Sequence, residues 1–259
     1  MATLRTLVFG DDGSPGADEA WQWITRQRWP GWRVVVVSAA PPPIGPPVEA
    51  ALAAPHAWEP PAPRRAPGAA EIAAVEHLTA LADPRVVLSE FPGADLVVVG
   101  PTGSGVLKSL QLGSTAAWLL DDLTAPVVVA RAARLVGPVL VCVDGSPHAR
   151  RAVETLAGLP WIKGAEVTVL GVDDGRSDAA AEAADAAPLL EAAGATVMTC
   201  EVAGKPSRVI LDQAEARGAG LIVMGGRGLT RLRRVFIGST ANAVTRGADC
   251  SVMVVSAGA

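Results

Sequence analysis

The stretch GGRGLTRLRRVFIGST, Gly225 to Thr240, follows directly on the apolar run GLIVMG, Gly220 to Gly225. A short β-branched run that ends in glycines reads as a buried strand entering a loop, and the closing Gly-Ser-Thr reads as a helix start with Ser239 as its N-cap. The stretch GPTGSGVLKSLQLGST, Gly100 to Thr115, follows DLVVVG with the same spacing. Both fit Gly-x2-Gly-x9-Gly-Ser: Gly225, Gly228, Gly238 and Ser239 in one, Gly100, Gly103, Gly113 and Ser114 in the other. A strand–loop–helix unit repeated at an offset of 125 residues means one plan written twice.

Working outward, LVFGDDGSPGADEAWQWI (Leu7 to Ile24) matches LVCVDGSPHARRAVETL (Leu140 to Leu156) in its Asp-Gly-Ser-Pro core. The runs APVVVARA and CSVMVVSA close the two copies, which join near Arg131 to Gly137 and divide the chain into 1–133 and 134–259. The second copy alternates throughout. GPVLVCVD, AEVTVLGVDD, ATVMTCEV, AGLIVMG and CSVMVVSA read as strands. Between them, PHARRAVETLAGL has helical spacing at Ala149, Ala152, Val153, Leu156 and Leu159; DAAAEAADAAPLLEAAG is a helix that Pro188 would kink; KPSRVILDQAEARG is a third. Alternation of this kind, with strands apolar on both faces, gives an α/β fold with parallel sheets covered on both sides.

The first copy departs in its middle. Ten prolines in the 27 residues from Pro41 to Pro67 exclude a helix or a central strand there, so this insert reads as an extended surface loop. One helix is expected over about 69–82, then a strand in RVVLSE. About five residues to the next strand are too few for a crossover helix, so the copy is expected to have lost a helix and to carry a short or misplaced edge strand.

The glycine loops have the chemistry of a phosphate cradle. Glycine lets backbone N–H groups approach an anion with no Cβ in the way. At Gly238 and Ser239 a helix begins, so unpaired N–H groups and the positive dipole end face the same point. Arg227, Arg231, Arg233 and Arg234 add charge; Lys108 is the only counterpart in the first loop. The competing account is a tight turn with solvated arginines. Asp144 and Asp12, at the ends of the first strands, have two readings: acceptor for an adenine amino group or a ribose hydroxyl, or plain helix-starting turn. Asp11 competes with Asp12 for the first-copy role.

Other chemistries find little support. The net charge of -4 argues against a nucleic-acid binder. Cys142, Cys200 and Cys250 form no metal-ligand cluster and read as buried, reduced thiols of a cytoplasmic protein. No window reaches roughly 18 uninterrupted apolar residues, and the N-terminus is not a secretory signal. His56, His77 and His148 belong to no triad or metal spacing, and His148 reads as surface. Asp173 and Asp174 have the chemistry to bind Mg²⁺, but a solvated turn is the preferred account. Walker A and GxSxG signatures are absent. The tryptophans, clustered at Trp21, Trp23, Trp29 and Trp32, read as core packing.

LVCVDGSPHARRAV, VTVLGVDD and LIVMGGRGLTRLRRVFIGSTANAVTRGADCSVMVV, with the weaker LVFGDDGSPGADEA and LVVVGPTGSGVLKSLQLGSTAAWLLDDLTAPVVVA, resemble the universal stress protein family in its tandem, ATP-binding form. The resemblance covers nearly all of copy two and both ends of copy one. It implies two adenine-nucleotide-α-hydrolase-like domains, each a five-stranded parallel sheet in the order 3-2-1-4-5 flanked by helices. It implies ATP as ligand, with or without Mg²⁺. Gly225, Gly228, Gly238 and Ser239 would hold phosphates and ribose, Thr240 would complete the phosphate contacts, and Asp144 would meet the adenine edge beside the Val172 backbone. The matching first-copy positions are Asp12, Ala39, Gly100, Gly103, Gly113, Ser114 and Thr115. Family dimers commonly pair their last strands, so 126–131 and 251–256 would lie side by side as an internal pseudo-dimer, with a further homodimer open. The expected function is a non-enzymatic, nucleotide-dependent stress-response module with an unidentified protein partner, its second domain the main site. The alternatives are a weak ATPase or adenylyl-transferring enzyme, and a nucleotide-free interaction module.

Overall fold

The computed structural model describes residues 3–41, 65–66, 68, 70–103, 112–122, 124–131, 137–175, 177–227 and 237–257. In the first half these form β1 (Arg5–Gly10), α1 (Pro15–Arg26), β2 (Trp32–Ala40), β3 (Ala74–Leu81), α2 (Pro84–Ser89), β4 (Leu96–Val99), α3 (Ser114–Asp121) and β5 (Val127–Val129). The second half gives β6 (Val139–Val143), α4 (Pro147–Ala157), β7 (Glu166–Asp173), α5 (Ala179–Ala192), β8 (Thr196–Ala203), α6 (Pro206–Ala216), β9 (Leu221–Gly225), α7 (Ser239–Gly247) and β10 (Ser251–Val255).

All ten strands form one sheet, in the order β3-β2-β1-β4-β5-β10-β9-β6-β7-β8. Within each half the order is therefore 3-2-1-4-5 and every pairing is parallel, as expected. The halves meet where β5 pairs antiparallel with β10, Val128 opposite Met253. These two residues are themselves equivalent at the 125-residue offset, so a pseudo-twofold axis passes between them. The central strands VVV, LVVV, VLVCV and SVMVV are buried throughout, while the polar-interrupted β3 and β8 lie at the edges. Strands that are almost wholly apolar on both faces have nowhere to sit but under helices on both sides.

Alternate strand residues feed two cores. On one face, Leu7, Phe9, Val141 and Val143 pack with α1, α4 and α5; on the other, Val8, Leu140 and Cys142 pack with α2, α3, α6 and α7. The first core is continuous between the halves. Trp29 meets Trp161 edge-on at 6.5 Å between ring centroids, and Arg5 donates to the Gly158 carbonyl at 3.1 Å. Trp23, Trp29 and Trp32 are buried, which fits the core-packing expectation.

The first half corrects the expectation for its middle. Residues 74–81 are a strand and 84–89 a helix, the reverse of the helix over 69–82 and the strand in RVVLSE. The edge strand is neither short nor displaced: β3 runs eight residues in register with β2, from Arg33↔Ala74 to Ala40↔Leu81. Lateral pairing along a formed neighbour outweighed the weak helical spacing of alanine and leucine. The crossover to β4 carries the short α2, started by Asp83, whose carboxylate accepts from the Arg85 N–H at 2.9 Å. The Arg85 guanidinium beside it holds that carboxyl down to about 2. The insert, apart from Pro41 at its start and Arg65 and Ala66 near its end, lies outside the described residues, as does any helix between β2 and β3 there. Two smaller corrections concern the second half. Gly238, not Ser239, is the N-cap of α7, and Cys200 is half-buried rather than buried. Helix α5 continues through Pro188.

Candidate functional site

The turn that ends β6 is built by its own side chains. Asp144 Oδ1 accepts from the Ser146 N–H at 3.1 Å, and Ser146 Oγ accepts from the Ala149 N–H at 3.1 Å as N-cap of α4. Gly145 between them has φ of +71°, a left-handed conformation that glycine adopts without steric cost. The first half repeats this: Ser14 N–H to Asp12 Oδ1 at 3.0 Å, Ala17 N–H to Ser14 Oγ at 3.1 Å, and Gly13 at +75°.

The glycine loop meets that turn. Ser146 Oγ, buried, donates to the Arg227 carbonyl at 3.3 Å; in the first half Ser14 Oγ donates to the Thr102 carbonyl at 3.4 Å. The end of β9 lies so close to α4 that a Cβ on Gly225 would sit 2.8 Å from the Ala149 nitrogen and from His148 Cβ. A Cβ on Gly100 would sit 2.4 Å from the Gly16 carbonyl oxygen. These two glycines thus serve strand-to-helix packing, a role apart from anion approach. The loop then closes on itself: the Gly238 N–H donates to the Gly226 carbonyl at 2.7 Å, and the Gly113 N–H to the Pro101 carbonyl at 2.7 Å.

Closure aims the helix start. The first intrahelical bond of α7 runs from the Asn242 N–H to the Gly238 carbonyl at 2.9 Å, so the N–H groups of Ser239, Thr240 and Ala241 have no intrahelical acceptor. Ser239 is exposed and Thr240 half-buried, and the same holds for Ser114 and Thr115 at the start of α3. Register Val143↔Gly171 sets Asp144 level with Val172, both half-buried; Gly10↔Val37 likewise sets Asp12 level with Ala39. In each half the strand end, the loop ends and the helix start therefore share the carboxyl edge of the sheet, where open α/β sheets bind ligands.

Not every expected residue is placed. Gly228, Arg231, Arg233, Arg234, Lys108 and His56 lie outside the described residues. Of the arginines, Arg227 is described, half-buried after β9. Its charge is felt at His148, whose pKa is lowered by burial and by Arg227, against the opposing pull of Asp144. His148 is half-buried and not merely surface: its Nδ1 accepts from the Ala257 N–H at 2.9 Å, tying down the C-terminal segment. Asp173 caps an exposed turn through the Gly175 N–H at 2.9 Å, and no group of three or more metal-ligating side chains occurs among the described residues.

The two halves differ at the aspartates. Asp12 is exposed, and its Oδ2 lies 2.6 Å from where a Cβ of Gly103 would stand. Asp11 is buried and faces Arg65, which donates to both its oxygens at 2.7 and 2.9 Å and reaches Asp18 at 2.8 Å. Arg65 also lies 5.5 Å from the Phe9 ring centroid and 5.9 Å from that of Trp21. Sequence reasoning missed this pair because its members lie 54 residues apart; the Asp-Asp doublet was the one signal.

The sequence model described as Universal stress protein family matches residues 3–131 and 136–256. A universal stress protein of Mycolicibacterium smegmatis is 31% identical over 197 residues, covering 66% of this chain and 65% of that protein. One from Mycobacterium tuberculosis is 29% identical over 186 residues, 62% of this chain and 61% of its own length. The alignments thus span less than two thirds of these relatives. The crystal structure of a universal stress protein from Archaeoglobus fulgidus superposes with a TM-score of 0.71 at 21% identity, covering 98% of both chains, and shares the fold.

Proposed function

Because the chain belongs to the universal stress protein family, we propose that it is a regulatory protein that binds ATP chiefly in its second half and changes partners with occupancy. The observation that carries this reading is the closed loop at α7. A 2.7 Å bond from Gly238 to Gly226 leaves three successive amides, at Ser239, Thr240 and Ala241, next to the turn that bears Asp144. Such amides, at the positive end of a helix, favour a phosphate group. Arg227 adds charge, and Gly228 extends the loop in sequence. Asp144 has carboxylate capacity left beyond its bond to Ser146, which suits an adenine amino group or a ribose hydroxyl, with the Val172 backbone alongside.

Nothing in this arrangement requires hydrolysis. His148 Nδ1 is engaged by Ala257, and no other histidine belongs to the turn. ATP would bring its own Mg²⁺, held by phosphate oxygens rather than by a protein cage. We place the first half in a lesser role, since the loop from Gly100 to Thr115 carries one cation where the loop from Gly225 to Thr240 carries four. Cys142, Cys200 and Cys250, as thiols, fit a reducing, cytoplasmic setting.

Isothermal titration of ATP into the full chain is expected to give one site per chain, weakened in Asp144→Ala. Two equal sites, or no binding, would overturn the proposal.

A further inference from the structure

Helix α7 supplies the amides on which the nucleotide reading rests, and the first half grips it at both ends. At the N-terminal end, Asp121, the last residue of α3, accepts from the Ile237 N–H at 3.3 Å. Ile237 immediately precedes the N-cap Gly238. At the other end, the Arg131 guanidinium donates to the carbonyls of Thr245, in the last turn of α7, and of Cys250. The Arg131 backbone N–H also donates to Ser251 Oγ at 3.0 Å. Arg131 is 8% exposed, and burial lowers its pKa while Cys250, Asp249 and Glu19 act in the opposite direction. A cation against last-turn carbonyls complements the negative end of the helix dipole.

The grip is not returned. At the 125-residue offset, Arg246 stands where Asp121 does, and Ser256 where Arg131 does. Arg246 has no carboxylate with which to accept the Leu112 N–H, and its guanidinium bonds Asn242 of its own helix at 2.9 Å. Ser256 has no cation to offer the last turn of α3. The first half thus lends the second two groups that the second does not lend back.

We propose that Asp121 and Arg131 are positioning residues for the second-half site: they fix α7 from its two ends and so set where its first amides point. The inference rests on the nucleotide reading above and extends it. The half with the poorer loop acts as a built-in partner that tunes the richer one, without touching the ligand.

The test uses the full chain, ATP titration, and amide NMR of the nucleotide-free protein. Asp121→Ala is expected to weaken ATP binding about fivefold, the worth of one hydrogen bond. Asp121→Asn keeps an acceptor oxygen and should stay within about twofold of wild type. Asp122→Ala, one residue on and exposed, should bind as wild type. The amide signals of Ser239, Thr240 and Ala241 should move in Asp121→Ala and hold still in Asp122→Ala; a general loss of stability would not single them out. Arg131→Lys, which keeps the charge but has no planar fork to span two carbonyls, should lose about threefold. A folded Asp121→Ala chain with wild-type affinity and unmoved amides overturns the inference. If wild type binds no ATP, the nucleotide reading fails instead, and the amide signals alone decide the positioning claim.

Discussion

At the scale of single residues, Gly225 and Arg65 show how much a position means before any ligand is considered. A valine at 225 would drive its Cβ into the start of α4, 2.8 Å from the Ala149 nitrogen. We expect Gly225→Val to cost about 2 kcal/mol of stability in urea unfolding, the usual scale of overpacking. Loss of nucleotide in that variant would therefore say little about phosphate. Arg65→Ala removes the guanidinium from the buried Asp11 carboxylate and is expected to cost about 3 kcal/mol by the same measurement. A change under about 1 kcal/mol would mean that the pair adds nothing to folding. His148 gives a pH dependence. Its folded pKa lies below its unfolded value, so its contribution is complete above about 6.5 and is lost as pH falls through the lower folded value. Between pH 7.5 and 5.5 the melting temperature of wild type should fall further than that of His148→Gln; parallel curves would remove the tail contact from the stability of the chain.

At the scale of elements, the sequence spoke most clearly where periodicity and burial agreed. Helix α4 buries Ala149, Ala152, Val153 and Leu156, four of the five residues that its spacing singled out; the fifth, Leu159, is buried just past its end. In the first half the spacing misled. AVEHLTAL looks helical by itself, yet as β3 it hydrogen-bonds along the whole of an eight-residue register with β2. The Asp-Pro at 83–84 was the local signal for a helix start, and it was outweighed by the alanines upstream. Helix α7 offers the cleanest test of the site. Ser239 is its exposed first residue, so Ser239→Asp places a carboxylate at the positive helix end, which should leave folding intact or improve it by about 0.5 kcal/mol. The same charge would repel phosphate, and ATP affinity should fall more than about tenfold. Undiminished binding in titration would show that the anion sits elsewhere.

At the scale of the whole molecule, the pairing of β5 with β10 turns two five-stranded sheets into one of ten. Each half would otherwise present a buried apolar strand as an open edge. Residues 134–259 expressed alone should therefore self-associate through β10 across an axis at Met253, giving a dimer in light scattering; a stable monomer would show that the tryptophan contact, not the strand pair, joins the halves. The repeat and the closing strands were legible in the sequence, because apolar runs, turn residues and a fixed offset are local or periodic properties; the strand order was reached only through the family resemblance. The candidate loops were legible for the same reason. What a linear reading could not reach was which atoms meet. That Gly225 is a packing glycine, that Arg65 crosses 54 residues to Asp11, and that Asp121 and Arg131 bracket α7 depend on distances set only when the two halves close on one another. Burial then decides their weight, since the same charges left in water would interact little.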